Sequence, residues 1–434
     1  MRTGGQVSWS FICVQGCQMG MARCIVVPLI RRIARRLIAD KTIMSKTAAA
    51  WILDELRRLE QEELTRSLPE LDRGADRLLL REGRLLLNLA SNNYLGLAGS
   101  PELAEAAAAA AHAYGTSAGA SRLVTGNYAL YDRLEADIAA FKDQEAALVV
   151  GSGYAANLSL IGSLADRHTT VFSDRLNHAS IVDGIQLAGA RHLRYRHNDP
   201  EHLAWRLEQA SDSPRKLIIT DTVFSMDGDT ARLAQIVALG KRHGALVAVD
   251  EAHAAGILGQ GRGLAHALGL EHEVDATMGT FSKAFGSYGA YIAGSAALVA
   301  LLRNKGRSFI YSTALPPPVV AASLAALELV RTRPSLSRRL LDLADTTRGL
   351  LRDTGCDTMD SATQIIPVRV GDNGRTLAAQ AALCEYGVYV AAVRPPTVPP
   401  GTARLRLSLR ADIEDSDVET LRQAFSSLRQ RGLL

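Results

Sequence analysis

A lysine sits on a short turn of small residues, Thr280-Phe281-Ser282-Lys283-Ala284-Phe285-Gly286, just after the apolar run Ala276-Thr277-Met278. Upstream, the apolar run Ala245-Leu246-Val247-Ala248-Val249 ends in Asp250-Glu251-Ala252-His253. Most lysines are solvated surface groups. Lys283 has small and apolar neighbours, and partial burial lowers a lysine's pKa and frees the neutral amine. An aspartate at a strand end commonly caps or hydrogen-bonds there. Set about 4 Å from a pyridinium nitrogen, it would gain roughly 4 kcal/mol at an effective dielectric near 20, or about three decades of proton occupancy. Glu251 cannot share that role, because adjacent strand residues face opposite ways. A lysine amine, a strand-end aspartate and a nearby histidine are the parts that pyridoxal phosphate (PLP) chemistry requires, the lysine to bond the aldehyde and the aspartate to pair with the ring nitrogen.

Other segments carry polar groups whose ordinary and chemical uses both stay open. His178, in Asn177-His178-Ala179-Ser180, could stack on a planar ring, although a lone histidine is more often a surface or core residue. His253 lies three residues after Asp250 and could reach a ring hydroxyl. Ser225, in Phe224-Ser225-Met226-Asp227-Gly228-Asp229, is on a turn after a strand, where a hydroxyl is useful but also common. Gly151-Ser152-Gly153-Tyr154 opens a helix, and free N–H groups at a helix start bind anions. Many strand–helix turns are glycine-rich without doing so. No G-x-G-x-x-G opens a first βα unit with an acid about 20 residues on, which argues against a dinucleotide dehydrogenase.

The elements that must position these groups form a regular alternation. Short apolar runs at 146–150, 169–173, 216–220, 245–249 and 291–293 read as strands, and helical segments at 200–209 and 231–242 separate several of them. Near-continuous apolar strands alternating with helices predict an α/β fold with a mainly parallel sheet covered on both faces. Ligands of such sheets bind at the carboxyl ends of the strands, where Asp250 and the Lys283 turn fall. Earlier in the chain, helices are expected over 48–64, 104–113 and 128–141, with a strand at 85–89. Pro316-Pro317-Pro318 marks a break. A helix at 319–332 then leads to a smaller C-terminal domain with strands near 365–370, 388–393 and 404–409. The expected division is an N-terminal extension (1–43), a helix-and-strand segment (44–97), a large domain (98–330) and a small domain (331–434).

The 434 residues are enough for a large core. At 47% hydrophobic and 22% charged, the composition is that of a soluble globular protein. A net charge of +4 argues against a dedicated nucleic-acid surface, and no apolar run reaches the ~20 residues of a membrane span. The five cysteines form no C-x-x-C pair, so no zinc or redox motif is visible, and a reducing cytoplasm is expected. Residues 1–43 differ from the rest and include the basic stretch Arg31–Ile38; Met44 would make a natural second start.

The motifs Ser91-Asn92-Asn93-Tyr94-Leu95-Gly96-Leu97, Asp174-Arg175-Leu176-Asn177-His178-Ala179-Ser180, Val223-Phe224-Ser225-Met226-Asp227-Gly228-Asp229, Asp250-Glu251-Ala252-His253 and Thr280-Phe281-Ser282-Lys283 occur in this order. Together they resemble the α-oxoamine synthases, a branch of the aspartate-aminotransferase-like PLP-dependent transferase fold (fold type I), from about residue 48 to the end. Arg394-Pro395-Pro396-Thr397-Val398-Pro399-Pro400-Gly401-Thr402-Ala403-Arg404-Leu405-Arg406-Leu407 and Ser121-Arg122-Leu123-Val124-Thr125-Gly126 are most similar to the members that join L-alanine to a pimeloyl thioester, carried on coenzyme A or acyl carrier protein. The chain departs from the family in residues 1–43 and at Ala254, where a glycine is usual. The resemblance implies that Lys283 holds PLP and then acts as the base. Asp250 would keep the ring nitrogen protonated, His178 would stack on the ring, and Ser225 and His253 would reach its O3′. Gly153, Tyr154 and Thr280 would lie near the phosphate or the ring edge. Arg406, Thr397 and, on a looser alignment, Arg66 would contact substrate. The resemblance also implies a homodimer with sites at the interface, in which Ser312 and Thr313 reach the neighbour's cofactor phosphate. Glycine C-acetyltransferase, 5-aminolevulinate synthase and serine palmitoyltransferase share the cofactor residues and remain alternatives, as does a non-catalytic binding protein on the same fold.

Overall fold

The structure, a computed structural model, describes residues 50–434 apart from residue 67. The N-terminal cysteines, the basic stretch 31–38 and Met44 lie outside the described residues. The described residues divide into two units, one ending at residue 68 and the other running from 69 to 434. In the first, helix α1 (Ala50–Gln61) carries Arg58 between Glu55 and Glu62, one turn to either side, an ion-pair spacing that suits an exposed helix.

The second unit is built on a seven-stranded sheet and two three-stranded ones. Its strands begin with a hairpin, β1 (Leu78–Arg81) and β2 (Arg84–Asn88). Helices α2 (Pro101–Tyr114) and α3 (Ala129–Phe141) precede β3 (Ala146–Val150). The alternation then runs α4 (Gly153–Leu164), β4 (Thr169–Asp174), α5 (Ala179–Ala188), β5 (Arg191–Tyr195), α6 (Pro200–Glu208), β6 (Arg215–Asp221), α7 (Leu233–His243), β7 (Leu246–Asp250), β8 (Ala276–Thr280) and β9 (Ala290–Gly294). These strands form one sheet in the order β3-β9-β8-β7-β6-β4-β5. The sheet is mainly parallel, as expected, but mixed: β9 runs antiparallel to both its neighbours, β3 and β8.

Both faces of this sheet are buried, and the two-residue period of a strand assigns alternate side chains to each. Val149, Phe172, Ile218, Val247, Val249 and Tyr291 join the core on one face. Leu148, Val150, Val171, Leu217, Ala248 and Ile292 pack on the other. Gly279 in β8 is required by this packing, since a Cβ there would meet the Tyr291 ring at 2.4 Å.

Helices α8 (Ala296–Lys305), α9 (Pro317–Thr332) and α10 (Ser335–Asp353) lead to the remaining strands β10 (Ile365–Gly371), β11 (Val388–Tyr389), β12 (Ala391–Val393) and β13 (Ala403–Ser408), with α11 (Asn373–Glu385) between β10 and β11 and α12 (Asp415–Gln430) last. The stretch expected as a single strand at 388–393 is split between two sheets: β11 pairs with β2 and β12 with β13. The proposed lobe boundary at residue 330 falls inside α9. Among the described residues, no helix is long and apolar enough to cross a membrane.

Three strands, β1, β5 and β8, escaped the sequence reading. β5 reads Arg191-His192-Leu193-Arg194-Tyr195, too polar to look like a core strand, because it is one of the sheet's two edges, pairs only with β4 and is largely uncovered. β8 extends through Gly279 to Thr280, so Thr280 ends a strand and does not begin the lysine turn.

Candidate active site

The carboxyl ends of the parallel strands gather acids and hydroxyls. β6 ends in Asp221, β7 in Asp250 and β8 in Thr280, and the register sets Asp221 beside Asp250. A cavity of about 220 Å³ opens there, lined by these three residues together with Gly153, Tyr154, His178, Ser225, His253 and Lys283.

The turn after β8 aims Lys283 into the cavity. Its flanking residues Phe281, Ala284 and Phe285 are buried in the core, which anchors the turn on either side of the lysine. Gly286 closes it with a bond from its N–H to the Lys283 carbonyl (3.0 Å) at φ +64°, where a Cβ would lie 2.3 Å from the Ala98 nitrogen. Lys283 Nζ is 2.7 Å from His253 Nε2. Burial pushes the Lys283 pKa down to about 8; the carboxylates of Asp250 and Asp221 oppose that shift, and Arg406 adds to it.

Asp250 is buried, and each of its oxygens accepts one hydrogen bond. Its Oδ1 accepts from the Ala252 N–H (2.9 Å) and its Oδ2 from Asn157 Nδ2 (2.8 Å). Asn157 Nδ2 also donates to Ser180 Oγ (2.9 Å), which lies 2.7 Å from His178 Nδ1. One amide thus ties the strand-end acid to the imidazole. The His178 residue is otherwise exposed, with one side toward the cavity. Burial of its ring lowers its pKa and Lys283 lowers it further, against Asp250. Glu251, as its alternate position requires, points away: it is fully buried against Lys142 and the Ala265 N–H (2.9 Å).

At the start of α4, Ser152 caps the helix by accepting from the Ala155 N–H (3.2 Å), and Gly153 and Tyr154 face the cavity. A helix start with unused N–H donors suits a phosphate. A planar imidazole, a buried carboxylate, a poised amine and this anion site form a donor set that fits a phosphorylated pyridine aldehyde. Asn157 Oδ1, buried without a partner, marks the same pocket as one in which polar groups await a ligand.

The other expected residues either line the cavity with hydroxyls already committed to protein partners or lie outside it. Tyr154 donates its hydroxyl to Asp183 and meets the His178 ring edge-on (6.5 Å, 79°). The Thr280 hydroxyl donates to the Gly289 carbonyl (2.8 Å). Arg406, buried on β13, does not line the cavity. It stands behind it, donating to the Ser225 carbonyl, to Asn92 Oδ1 through both terminal nitrogens (3.2 Å each) and to the Tyr94 hydroxyl (3.3 Å). Ser312 and Thr313 are exposed and outside this cavity. Thr397 is also exposed and outside it, its N–H bonded to the Arg394 carbonyl (3.1 Å). Arg66 is an exposed residue of the first unit. Ala254, the departure from the family, is fully buried in the core.

Several residues around the site were missed by sequence reasoning. Asp221 has the signal that singled out Asp250, an acid ending an apolar run. It accepts from the His178 backbone N–H (2.8 Å) and is buried, and burial together with the charge of Asp250 pushes its pKa well above the carboxylate range. Asn92 and Tyr94 lie in a quoted motif that had no role attached. Asn157 had no signal of its own.

His197 joins the two loops that carry His178 and Ser225. Its ring bridges Asp174 (3.1 Å) and Asp229 (3.0 Å) and packs edge-on against Phe224 (4.5 Å). Burial alone would lower its pKa, but the two carboxylates outweigh that and push it up to about 10. A raised pKa stabilises the fold fully below the unfolded value near 6.5, and the contribution is lost as pH rises through 10. His197→Gln should therefore lower the thermal midpoint most near pH 6 and progressively less toward pH 10. A deficit independent of pH would show that the bridge is uncharged.

Residues 84–425 match the family described as aminotransferase class I and II. The chain is 48% identical over 377 residues to a Bacillus cereus (strain Q1) protein named "Putative 8-amino-7-oxononanoate synthase", covering 87% of this chain and 96% of that one. A Bacillus anthracis protein of the same name is 48% identical over 367 residues, covering 84% and 93%. Among solved structures, serine palmitoyltransferase from S. paucimobilis, with bound PLP and myriocin, superposes with a TM-score of 0.84 at 31% identity, covering 90% of this chain and all of that one. An 8-amino-7-oxononanoate synthase from Francisella tularensis gives 0.68 at 25% identity, covering 80% and 99%. The chain belongs to the class I and II aminotransferase family, in its branch of PLP-dependent α-oxoamine synthases, enzymes of the acyltransferase type.

Proposed function

We propose that this enzyme is an 8-amino-7-oxononanoate synthase of biotin biosynthesis. It joins L-alanine to a pimeloyl thioester, on coenzyme A or acyl carrier protein, and releases 8-amino-7-oxononanoate, carbon dioxide and the free thiol. The observation that carries the chemistry is the Lys283 amine, held in the cavity with its pKa brought down to about 8. The choice of substrates is supported by the 48% identity to the Bacillus relatives of that name; the solved Francisella tularensis synthase is 25% identical and the serine palmitoyltransferase 31%. The higher TM-score of the latter measures backbone shape, which the branch shares, and does not bear on which amino acid is taken.

PLP, when bound, supplies an aldehyde that bonds amines and a ring that draws electrons from the substrate's α-carbon. The remaining work belongs to the chain. Asp250 keeps a proton on the ring nitrogen, and Asn157 fixes the direction of its carboxylate. His178 would stack on the ring and shield that face from water. Gly153 and Tyr154 at the start of α4, and Thr280, would lie near the phosphate or the ring edge, while Ser225 and His253 would reach the phenolic oxygen. Lys283 would bond the aldehyde in the resting enzyme, and its free amine would take the α-proton of alanine and later return one to the same carbon. Arg406, which stands behind the cavity, is assigned to the alanine carboxylate and would exchange one of its present partners for it, and Thr397 is assigned to the substrate side. Carbon–carbon bond formation at the thioester carbonyl expels the thiol, and loss of the carboxylate as carbon dioxide balances the reaction. Holding both substrates against one surface contributes several kcal/mol through proximity, on the order of 7.

Two copies form the working unit in this proposal, and the exposed segment Tyr311-Ser312-Thr313 of each reaches the other's phosphate site. Tyr311 is 72% exposed, as a contact surface in the isolated chain would be. The enzyme is cytoplasmic. Product analysis with alanine or glycine, each offered with pimeloyl and acetyl thioesters, tests the assignment. Alanine with a pimeloyl thioester should win by at least about tenfold in kcat/KM, the selectivity a single methyl group confers. A preference for glycine and acetyl-CoA would instead make the protein a glycine C-acetyltransferase.

A further inference from the structure

Behind the cavity a chain of short contacts links the buried Arg406 to Lys283. Arg406 Nη2 lies 3.3 Å from the Tyr94 hydroxyl, the hydroxyl 2.7 Å from His253 Nδ1, and His253 Nε2 2.7 Å from Lys283 Nζ. Tyr94 is fully buried, and the His253 backbone is held through its carbonyl by Gln364 Nε2 (2.9 Å). An imidazole gripped at both nitrogens is neutral in only one of two tautomers, and the partner at one nitrogen decides which.

We propose that Tyr94 is a positioning residue that sets the tautomer of His253: its hydroxyl donates to Nδ1, so that the ring proton sits on Nε2 and points at Lys283. The inference rests on the reading of Lys283 as the reacting amine. The donor is assigned by counting partners. Arginine has only protons to give, so Arg406 donates to the Tyr94 oxygen. The single Tyr94 proton then has two acceptors within reach, Asn92 Oδ1 (3.0 Å) and His253 Nδ1 (2.7 Å). Asn92 Oδ1 already accepts from both terminal nitrogens of Arg406. Its two lone pairs are engaged, and the proton goes to the shorter contact.

The consequence falls on Lys283. An Nε2–H that donates to the amine's lone pair favours the neutral lysine; an Nε2 lone pair would favour the ammonium. Lys283 is also faced by Asp250 from β7, Asp221 from β6 and Arg406 from β13, and His253 by Arg406, His178 and Lys283 itself. Burial and the positive charges of Lys283 and Arg406 hold His253 neutral, its pKa well below the ordinary histidine value, so the tautomer and not the charge is what Tyr94 controls.

The test uses the full-length chain freed of cofactor, with competitive acetic anhydride labelling across pH and mass spectrometry of the peptide containing Lys283. The wild-type midpoint should fall near 8. Tyr94→Phe removes one oxygen and keeps the ring, and should raise the midpoint by about one pH unit, leaving about tenfold less neutral amine at pH 7. Asn92→Ala deletes the competing acceptor and should leave the midpoint in place. In a His253→Ala background Tyr94→Phe should have no effect, since the shift travels through the imidazole. A Tyr94→Phe midpoint equal to wild type overturns the proposal, as does an equal shift with and without His253. Because neither substrate nor cofactor is present, these results stand apart from the product analysis.

Discussion

Lys283→Ala should lower kcat by about 10⁴-fold, the upper end of what a positioned base contributes, and should abolish covalent attachment of the cofactor to the chain. Borohydride treatment followed by mass spectrometry checks the second point. In the wild type a pyridoxyl adduct should appear on the peptide containing residue 283, and in the variant it should vanish. The fold should be unaffected. Burial already disfavours the charged amine, so its removal relieves a cost, while Phe281, Ala284 and Phe285 continue to anchor the turn. A variant that keeps turnover, or an adduct on another lysine, would falsify the assignment of the reacting amine and leave only the fold.

Asp250→Asn should reduce kcat/KM by about three decades, since a carboxylate about 4 Å from a protonated ring nitrogen is worth roughly 4 kcal/mol at an effective dielectric near 20. The substitution also changes Lys283. The Asp250 carboxylate raises the lysine's pKa against the effect of burial, so its loss should move the labelling midpoint of the cofactor-free chain below 8. That is opposite in sign to the shift expected of Tyr94→Phe. Some stability will be lost as well. Asp250 accepts from both the Ala252 N–H and Asn157 Nδ2, and an amide in its place turns its own N–H₂ toward one of these donors, at a cost of about 1–3 kcal/mol. A melting experiment separates the two effects: a drop of that size cannot produce a thousandfold loss of activity in protein that remains folded. An unimpaired variant would mean that another group holds the ring proton, and Asp221 would be the first to replace.

The lysine turn, the strand-end aspartate and the helix start at Gly153 were legible because each is a local pattern. An apolar run that ends in an acid, or a glycine pair that opens a helix, states its position within a few residues. The mainly parallel sheet was legible for the same reason, through runs apolar on both faces. β5 was not, because an edge strand with one neighbour can be half polar and so loses the hydrophobic signal. The split of residues 388–393 between two sheets also left no trace, since either partner accepts the same apolar side chains.

What the sequence determined by itself is a set of candidate groups and the strand ends and helix start on which several of them stand. Backbone propensity and hydrophobic periodicity act over short spans and are written in consecutive residues. Only the tertiary structure decided that Asn157 would bind Asp250, that Asp221 would lie beside it, and that Tyr94 and Arg406, 312 residues apart, would meet behind His253. Those contacts set the pKa values of the site. They depend on burial and on distances of a few ångströms between segments whose separation along the chain says nothing of their separation in space.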